Sequence, residues 1–371
     1  MSGICLVSRR LILPRWHFSS CNIARSHDFP ILWSPTSAAP DNALALHVGP
    51  LDFGMSVIEN LPRFRHLQHI QFEKYTMAQF DDRRITDALS RCPVKTASFT
   101  SSTFRNRHHL YTFLRHFPML EELSCADLHF KAKTRPREAR EIVQRIGPSL
   151  RKVTIDNDDD LWHAALDGSS FGPIDKLQKV TIMDVKLDDL AKVDQFLRRT
   201  KNSLEEFSMR HLHILGHARG THMRWKALRE HFVLSHLRRL CVDIHGKEKN
   251  TGLPATEIVL KWWLSMLQDA AKKDEALRLE NLTITVGVAR SVNYIQRAGG
   301  SLWQELDRCL TQNQFSSFKS LRVVIKVFSP LLPQRGESRR QMILDNCPRL
   351  QEKGMIDVVV QSVELPQESV E

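Results

Sequence analysis

The sequence predicts an α/β solenoid with parallel strands on a concave face and helices on a convex face. The first observation is a short apolar pattern, clearest in Leu177-Gln-Lys-Val180-Thr-Ile182, which fits one strand that the chain enters and leaves by a bend. The second observation is that this pattern recurs along most of the chain. The third is that amphipathic segments separate the copies. Together they indicate a repeating strand–helix unit.

The copies can be aligned on their first apolar residue. They start at Leu67, Val94, Leu120, Leu150, Leu177, Leu204, Leu237, Leu279 and Phe318. Successive starts are 27, 26, 30, 27, 27, 33, 42 and 39 residues apart. The early spacing is typical of a leucine-rich repeat, and the later spacing requires longer helices or loops. We therefore expect an irregular leucine-rich-repeat array over 44–362, after a linker over 24–43 and before a disordered tail over 363–371. The first and last strands are expected near 44–48 and 355–360.

Helices are predicted between the strands, and most end at a breaker such as Cys92-Pro93 or Phe117-Pro118. The predicted helices cover 78–91, 104–117, 137–146, 188–200, 223–236, 255–271 and 302–313. Strands stack about 4.8 Å apart, whereas helices are about 10 Å wide, so such an array curves with its strands inside. A compact α/β domain with a parallel sheet is the alternative.

Composition narrows the class of protein. With 371 residues and 42% hydrophobic content, the chain can bury a sizeable core. No apolar run approaches the roughly 20 residues of a membrane span. The 7 cysteines are scattered without a C-x-x-C pair, which is typical of reduced core cysteines in the cytoplasm or nucleus. The arginine-rich, acid-free start of the chain leaves a mitochondrial transit peptide open.

Motifs for catalysis and metal binding are weak. No phosphate-binding glycine loop, dinucleotide fingerprint or nucleophile elbow occurs, so we expect no enzymatic activity and no cofactor. Four histidines between positions 211 and 222 lack a cysteine or carboxylate at ligand spacing. The acidic run from Asp156 to Asp160 resembles the start of a calcium loop, but Leu161 and Asp167 stand where that loop requires glycine and glutamate. We expect no metal site.

Strand residues between the apolar positions are predicted to line the concave face and to bind a partner. The predicted partner-binding residues are Glu122, Ser124, Lys152, Thr154, Asp156, Lys179, Thr181, Glu206, Ser208, Arg210, Arg239 and Asp243. Basic and acidic residues balance along this face, whereas a nucleic-acid surface needs a basic stripe with stacking aromatic residues. A protein is therefore the expected partner, despite the formal net charge of +11. One tryptophan of the Trp262-Trp263 pair is expected to pack inward, and its neighbour to lie about 100° round the helix, on a flank. Core or boundary packing is the default expectation, and a partner-binding role for the outer ring is the alternative.

RNA binding is the less favoured alternative. It depends on a basic run outside the predicted concave face. That run consists of Lys131, Lys133, Arg135, Arg137, Arg140 and Arg145. A solvated helix face is the more usual meaning of such a run.

Two groups of segments carry a resemblance to a known family. Cys5-Leu6-Val7-Ser8-Arg9-Arg10, followed by Leu13-Pro14-Arg15-Trp16-His17-Phe18, resembles the end of an F-box that leads into leucine-rich repeats. Phe117-Pro118-Met119-Leu120 and Gly147-Pro148-Ser149-Leu150 resemble the irregular repeats of fungal F-box proteins. The resemblance implies a substrate receptor of a cullin-type ubiquitin ligase, held by a Skp-type adaptor.

The F-box itself is expected to be truncated. Residues 1–23 correspond to a remnant of its C-terminal helix, and the leucine-proline helix that docks on the adaptor in this family has no counterpart after Met1. A free-standing leucine-rich-repeat interaction module, without a link to a ligase, is the alternative.

Overall fold

The structure is a computed structural model, and it describes part of the chain. The described residues are 5–7, 45–48, 66–74, 76, 87, 89–132, 149–156, 176–183, 185, 189–210, 233–244, 255–272, 277–288, 295–327 and 333–363. They fold as two compact units, Met1–Ser149 and Leu150–Glu371. Both units contain mainly parallel strands together with helices, so the predicted mixed α/β class is confirmed.

Unit 1 is a sheet whose strands follow one another in chain order. Its strands are β1 (Cys5–Val7), β2 (Ala45–Val48), β3 (His69–Glu73), β4 (Thr96–Thr100) and β6 (Glu122–Ala126), beside a second, two-stranded sheet of β5 (Thr103–Phe104) and β7 (His129–Phe130). All neighbours pair in parallel except β1, which is antiparallel to β2. Cys5–Val7 therefore forms a strand, whereas a remnant of the F-box helix was expected over 1–23. The other residues of that range lie outside the described residues.

Phenylalanines form the core of unit 1. Phe72 and Phe99 occupy equivalent positions in β3 and β4, and their rings stack with centroids 5.2 Å apart. Phe113 meets both rings edge-on, at 5.8 and 5.9 Å. Aromatic pairs in these geometries add to the stabilisation that burial provides. The apolar strand positions thus pack as the repeat predicts.

One helix among the described residues of unit 1 is shorter than expected. Helix α1 (Arg107–Leu114) begins after Asn106, whose side chain accepts a hydrogen bond from the His109 N–H at 2.8 Å. Such an N-cap fixes where a helix starts. The prediction of a helix over 104–117 was therefore too long at both ends, and Phe104 lies in β5 instead.

Among the described residues of unit 2, seven strands pair in parallel in chain order. They are β8 (Lys152–Asp156), β9 (Lys179–Met183), β10 (Glu206–Arg210), β11 (Arg239–Asp243), β12 (Asn281–Val288), β13 (Ser320–Val327) and β14 (Ile356–Ser362). The first residue of each strand pairs with the first residue of the next from β8 to β13. The strands predicted after Leu150, Leu177, Leu204, Leu237, Leu279 and Phe318 are thus confirmed among the described residues.

Helices connect several of these strands. They are α2 (Leu190–Arg199), α3 (Ala255–Lys272), α4 (Ile295–Leu310), a short 3₁₀ helix (Asn313–Phe315), α5 (Pro333–Asp345) and α6 (Pro348–Glu352). The predicted helices over 188–200 and 255–271 are confirmed, and α4 starts earlier than predicted. Both Trp262 and Trp263 are buried, so the default expectation of core packing is confirmed, and neither ring is accessible for the alternative role in partner binding. The packing of α3 against α4 covers a second flank of α3.

The sequence did not predict α5 or α6. Helix α5 is mostly polar and packs through Gly336, where a Cβ atom would lie 2.6 Å from Val360 Cγ1 and 3.0 Å from Val327 Cγ2. Helix α6 begins with Pro348 at its first position, where a missing N–H costs nothing. The Cys347-Pro348 pair therefore starts a helix, whereas the pairs Cys92-Pro93 and Phe117-Pro118 were expected to end one.

Several predictions fall outside the described residues. They concern the linker over 24–43, the helix over 137–146, most of the helices over 78–91 and 223–236, and all of the tail except Val363. They stay predictions.

Candidate protein-binding surface

The strands of each unit place alternate residues on two faces. The second and fourth residues are buried in every five-residue strand, as with Val153 and Ile155 of β8. The first, third and fifth residues point the other way and are mostly exposed or half-buried. We name the surface formed by these odd-numbered positions the open face. It corresponds to the predicted partner-binding face.

Most of the predicted partner-binding residues are accessible on the open face. Glu122, Ser124, Lys152, Thr154, Asp156, Lys179, Glu206, Arg210 and Arg239 are exposed or half-buried. Thr181, Ser208 and Asp243 are only 6%, 3% and 4% exposed, so direct contact between them and a partner is not supported. Thr181 and Ser208 are short, and longer side chains flank them on the same strands. The burial of a short side chain between long ones was not visible in the strand pattern.

A row of charges crosses three neighbouring strands of unit 2. The first residues of β9, β10 and β11 are Lys179, Glu206 and Arg239, and the sheet register aligns them. Lys179 Nζ lies 2.5 Å from Glu206 Oε1, and Arg239 Nη1 lies 3.6 Å from Glu206 Oε2. Glu206 is only 17% exposed, whereas Lys179 is 41% and Arg239 is 64% exposed. Two accessible cations therefore share one recessed carboxylate, which leaves the row with a net positive charge.

The next row of the open face is small and polar. The register aligns Thr181, Ser208, Cys241 and Thr283 across β9 to β12. Burial, and then the nearby Glu206 carboxylate, raise the pKa of the Cys241 thiol. The Ser208 hydroxyl is buried without a hydrogen-bond partner.

A second charge row lies one residue earlier, where the chain enters the strands. Its members alternate in sign, as Glu205, Arg238, Glu280 and Lys319. Arg238 lies 3.9 Å from Glu205 and 3.7 Å from Glu280, and Lys319 lies 2.7 Å from Glu280. The hydrogen bond from Lys319 is the main cause that lowers the pKa of Glu280. This row was not predicted from the sequence, although the alternation of charge just before each strand is visible there.

The other candidate sites lie largely outside the described residues. The four histidines between 211 and 222 and most of the acidic run from Asp156 to Asp160 are among the residues that the structure leaves out. Of the basic run proposed for RNA, only Lys131 is described. Within the described ranges, no group of three or more metal-binding side chains is placed to hold an ion. None of the described helices combines the length and the apolar character that a membrane crossing requires.

Comparison with known proteins does not assign the chain to a family. No protein-family model matches the chain, and no curated protein matches it.

Proposed function

We propose that this chain is a non-enzymatic, leucine-rich-repeat scaffold that recognises a protein through the open face of its strands. The observation that carries the proposal is the Lys179–Glu206–Arg239 row, in which accessible charged side chains are held in register by neighbouring strands. We further propose that the strands line the concave side of a solenoid, since repeat arrays use that side for binding.

Preorganisation supports this use of the open face. Association costs roughly 0.5–1.5 kcal/mol for each flexible side chain that becomes immobilised. Lys179 and Arg239 are already oriented by their shared carboxylate, which reduces that cost. Their exposed ends remain available to acidic groups of a partner, and complementary charge accelerates association and excludes wrong partners.

The resemblance of the first residues to an F-box extends the proposal. The scaffold would act as a substrate receptor of an SCF-type cullin ubiquitin ligase, with the Skp-type adaptor held by the N-terminal segment and the substrate held by the open face. The free-standing interaction module is the alternative, and it predicts the same open-face partner without adaptor or cullin.

The test is a quantitative affinity purification of the tagged chain in three forms. The first is the wild type. The second carries Arg210→Glu and Arg239→Glu, which reverse two exposed charges of the open face. The third carries Lys261→Glu and Arg308→Glu, which reverse two exposed charges on α3 and α4 and form the matched control. Mass spectrometry compares the proteins recovered with each form.

We expect at least one protein to be recovered in equal amounts with the wild type and the control. The amount of that protein recovered with the open-face variant should be at least about tenfold lower. Equal recovery of every protein by all three forms would refute binding through the open face. Recovery of a Skp-type adaptor and cullin with all three forms would support the ligase role. An open-face partner without them would favour the free-standing module.

A further inference from the structure

Strand β14 has a side that no described strand covers. It pairs with β13 through bonds that include Leu321 N–H to Met355 O at 2.7 Å and Val363 N–H to Val327 O at 2.9 Å. In a parallel pair, alternate residues of a strand direct both backbone groups to the neighbour. Residues 357, 359 and 361 therefore face β13. The backbone groups of Ile356, Val358, Val360 and Ser362 point away from the sheet.

Arg340 occupies the centre of this outer edge. Helix α5 packs closely on β13 and β14 at Gly336, and Arg340 lies four residues later on the same side of the helix. From there Arg340 Nε donates a hydrogen bond to the Val358 carbonyl oxygen at 3.1 Å. Glu337 Oε2 lies 3.3 Å from Arg340 Nη1 and helps to orient the guanidinium.

The rest of the edge remains open among the described residues. None of them forms a hydrogen bond with the outward backbone groups of Ile356, Val360 or Ser362. Exposed strand edges with β-branched residues are templates for another strand, and proteins commonly protect them with charged side chains. Arg340 meets that description, since it satisfies the outward acceptor at the middle of the strand.

The edge is also complementary to itself. In an antiparallel pair of two β14 strands centred on Val359, Ile356 faces Ser362 of the second copy and Val358 faces Val360. Every outward residue then meets an outward residue, which is the arrangement that an antiparallel ladder requires. Asp357 faces Gln361, so like charges are not opposed.

We propose that the outer edge of β14 is a docking surface for the same strand of a second copy of this chain, and that Arg340 restricts access to it. The wild type associates weakly because the guanidinium must leave the Val358 carbonyl before the second strand can pair there. This interaction is separate from partner binding through the open face.

Sedimentation equilibrium of four forms tests the proposal. They are the wild type, Arg340→Ala, the control Arg349→Ala on exposed α6, and Arg340→Ala combined with Ser362→Pro. Proline at position 362 removes an outward N–H and leaves the bonds to β13 in place. We expect Arg340→Ala to dimerise at least about tenfold more tightly than the wild type, the factor that one hydrogen bond can supply. Arg349→Ala should match the wild type, and the added proline should abolish the gain.

Equal association constants for Arg340→Ala and the wild type would overturn the proposal, as would a gain that survives the proline. A second measurement covers the case in which Arg340→Ala folds poorly. A chain with Ile356→Cys is mixed with a chain with Ser362→Cys, each with Arg340 intact, because the proposed register brings these positions within disulfide distance. If the mixture forms more disulfide-linked heterodimer than disulfide-linked homodimer, the proposed register is supported. If it does not, the register is refuted.

Discussion

In unit 1 the backbone conformation repeats together with the side-chain pattern. The repeated positions are Lys74, Ser101 and Asp127. Each directly follows a strand, and their φ values are 52°, 48° and 52°. None is glycine, although a Cβ atom makes this left-handed region cost roughly 1–2 kcal/mol. Hydrogen bonds hold the bend in place, including Lys74 N–H to Thr100 O and Ser101 N–H to Ala126 O, both at 2.8 Å. The bend leads the chain from the main sheet toward the smaller sheet of β5 and β7.

Lys74→Gly should stabilise the protein by up to about 1 kcal/mol, because glycine removes the left-handed strain at the expense of some unfolded-chain entropy. Gln71→Gly, at an exposed position within β3, is the matched control and should destabilise by about 0.5–1 kcal/mol. Urea denaturation measures both free energies of unfolding. Equal losses for the two variants would show that Lys74 is not strained.

Asp127 occupies the position equivalent to Lys74, and its side chain also forms a hydrogen bond. The Asp127→Gly variant therefore tests the loss of that bond together with the relief of backbone strain. The Asp127 Oδ2 atom accepts a hydrogen bond from the Ser101 hydroxyl at 3.1 Å. We therefore expect a smaller gain than for Lys74→Gly, or a loss.

The environment of His236 was also not predictable from the sequence. Both ring nitrogens are buried, and neither has a hydrogen-bond partner among the described residues. Burial, and then the positive charges of Arg278 and Lys201, lower the pKa of His236 to about 4. The folded protein thus holds this ring neutral.

Acid should destabilise the protein through His236. Below its usual pKa of 6.5 the unfolded chain binds a proton there, whereas the folded chain does so only near pH 4. The free energy of unfolding should therefore fall as the pH drops through this window, by about 1–2 kcal/mol after allowance for solvent screening. Urea denaturation across the window should show a smaller fall for His236→Leu than for the wild type. His69→Leu, at an exposed position, is the control and should keep the wild-type slope. Identical slopes for both variants would exclude His236 as the source.

At the scale of elements, a buried carboxylate joins α4 to α6. Asp307 of α4 is 2% exposed, and its oxygens accept hydrogen bonds from the backbone N–H groups of Leu350 at 2.8 Å and Arg349 at 3.3 Å. These N–H groups lie in the first turn of α6, where a helix has no internal acceptors and favours negative charge. The Cys347 side chain at the N-cap makes no capping bond, so Asp307 supplies the cap from another helix.

Asp307→Ala should lower the free energy of unfolding by about 1–3 kcal/mol, because it leaves buried N–H groups without an acceptor. Asp307→Asn keeps one acceptor oxygen and should lose less. Arg308→Ala, at the exposed next position, should be close to neutral. Chemical denaturation ranks the three variants, and amide exchange at Leu350 reports the local bond. Equal stability of Asp307→Ala and Arg308→Ala would contradict the capping role.

At the scale of the whole molecule, charge is arranged by the strands. The chain carries a formal net charge of +11, yet the described strands of unit 2 pair many charges with a neighbour of opposite sign. These pairs have exposed partners, and exposed ion pairs contribute little to stability.

Raising the ionic strength from about 0.05 M to about 0.5 M should therefore change Tm by less than about 3 °C. Salt weakens the exposed pairs, but it also screens the repulsion from the excess positive charge. Differential scanning fluorimetry measures the shift. A fall in Tm of more than about 8 °C would mean that the charge rows are a major source of stability.

Much of the strand framework was predictable from the alternation of apolar and polar residues along the chain. Ile70 and Phe72, like Leu282 and Ile284, alternate with polar residues, and a strand buries alternate side chains whatever its neighbours are. The same alternation predicted that Lys179, Glu206 and Arg239 lie on the side of their strands opposite the buried residues, and in the structure these three side chains are half-buried or exposed there. Their role in partner binding stays a prediction. The burial of Ser208 was not predictable, because it depends on the lengths of the side chains around it.

The sequence alone determined the α/β class, the order of the strands and the face that carries the polar residues, because these depend on a periodicity written along the chain. Only the tertiary structure decided that α5 packs on β13 and β14, that Asp307 caps α6, and that Arg340 bonds the edge of β14. Each of these contacts joins residues from different elements, Asp307 and Leu350 being 43 positions apart. Such contacts form only when the packed elements bring their side chains and backbone together, and no local pattern records that approach.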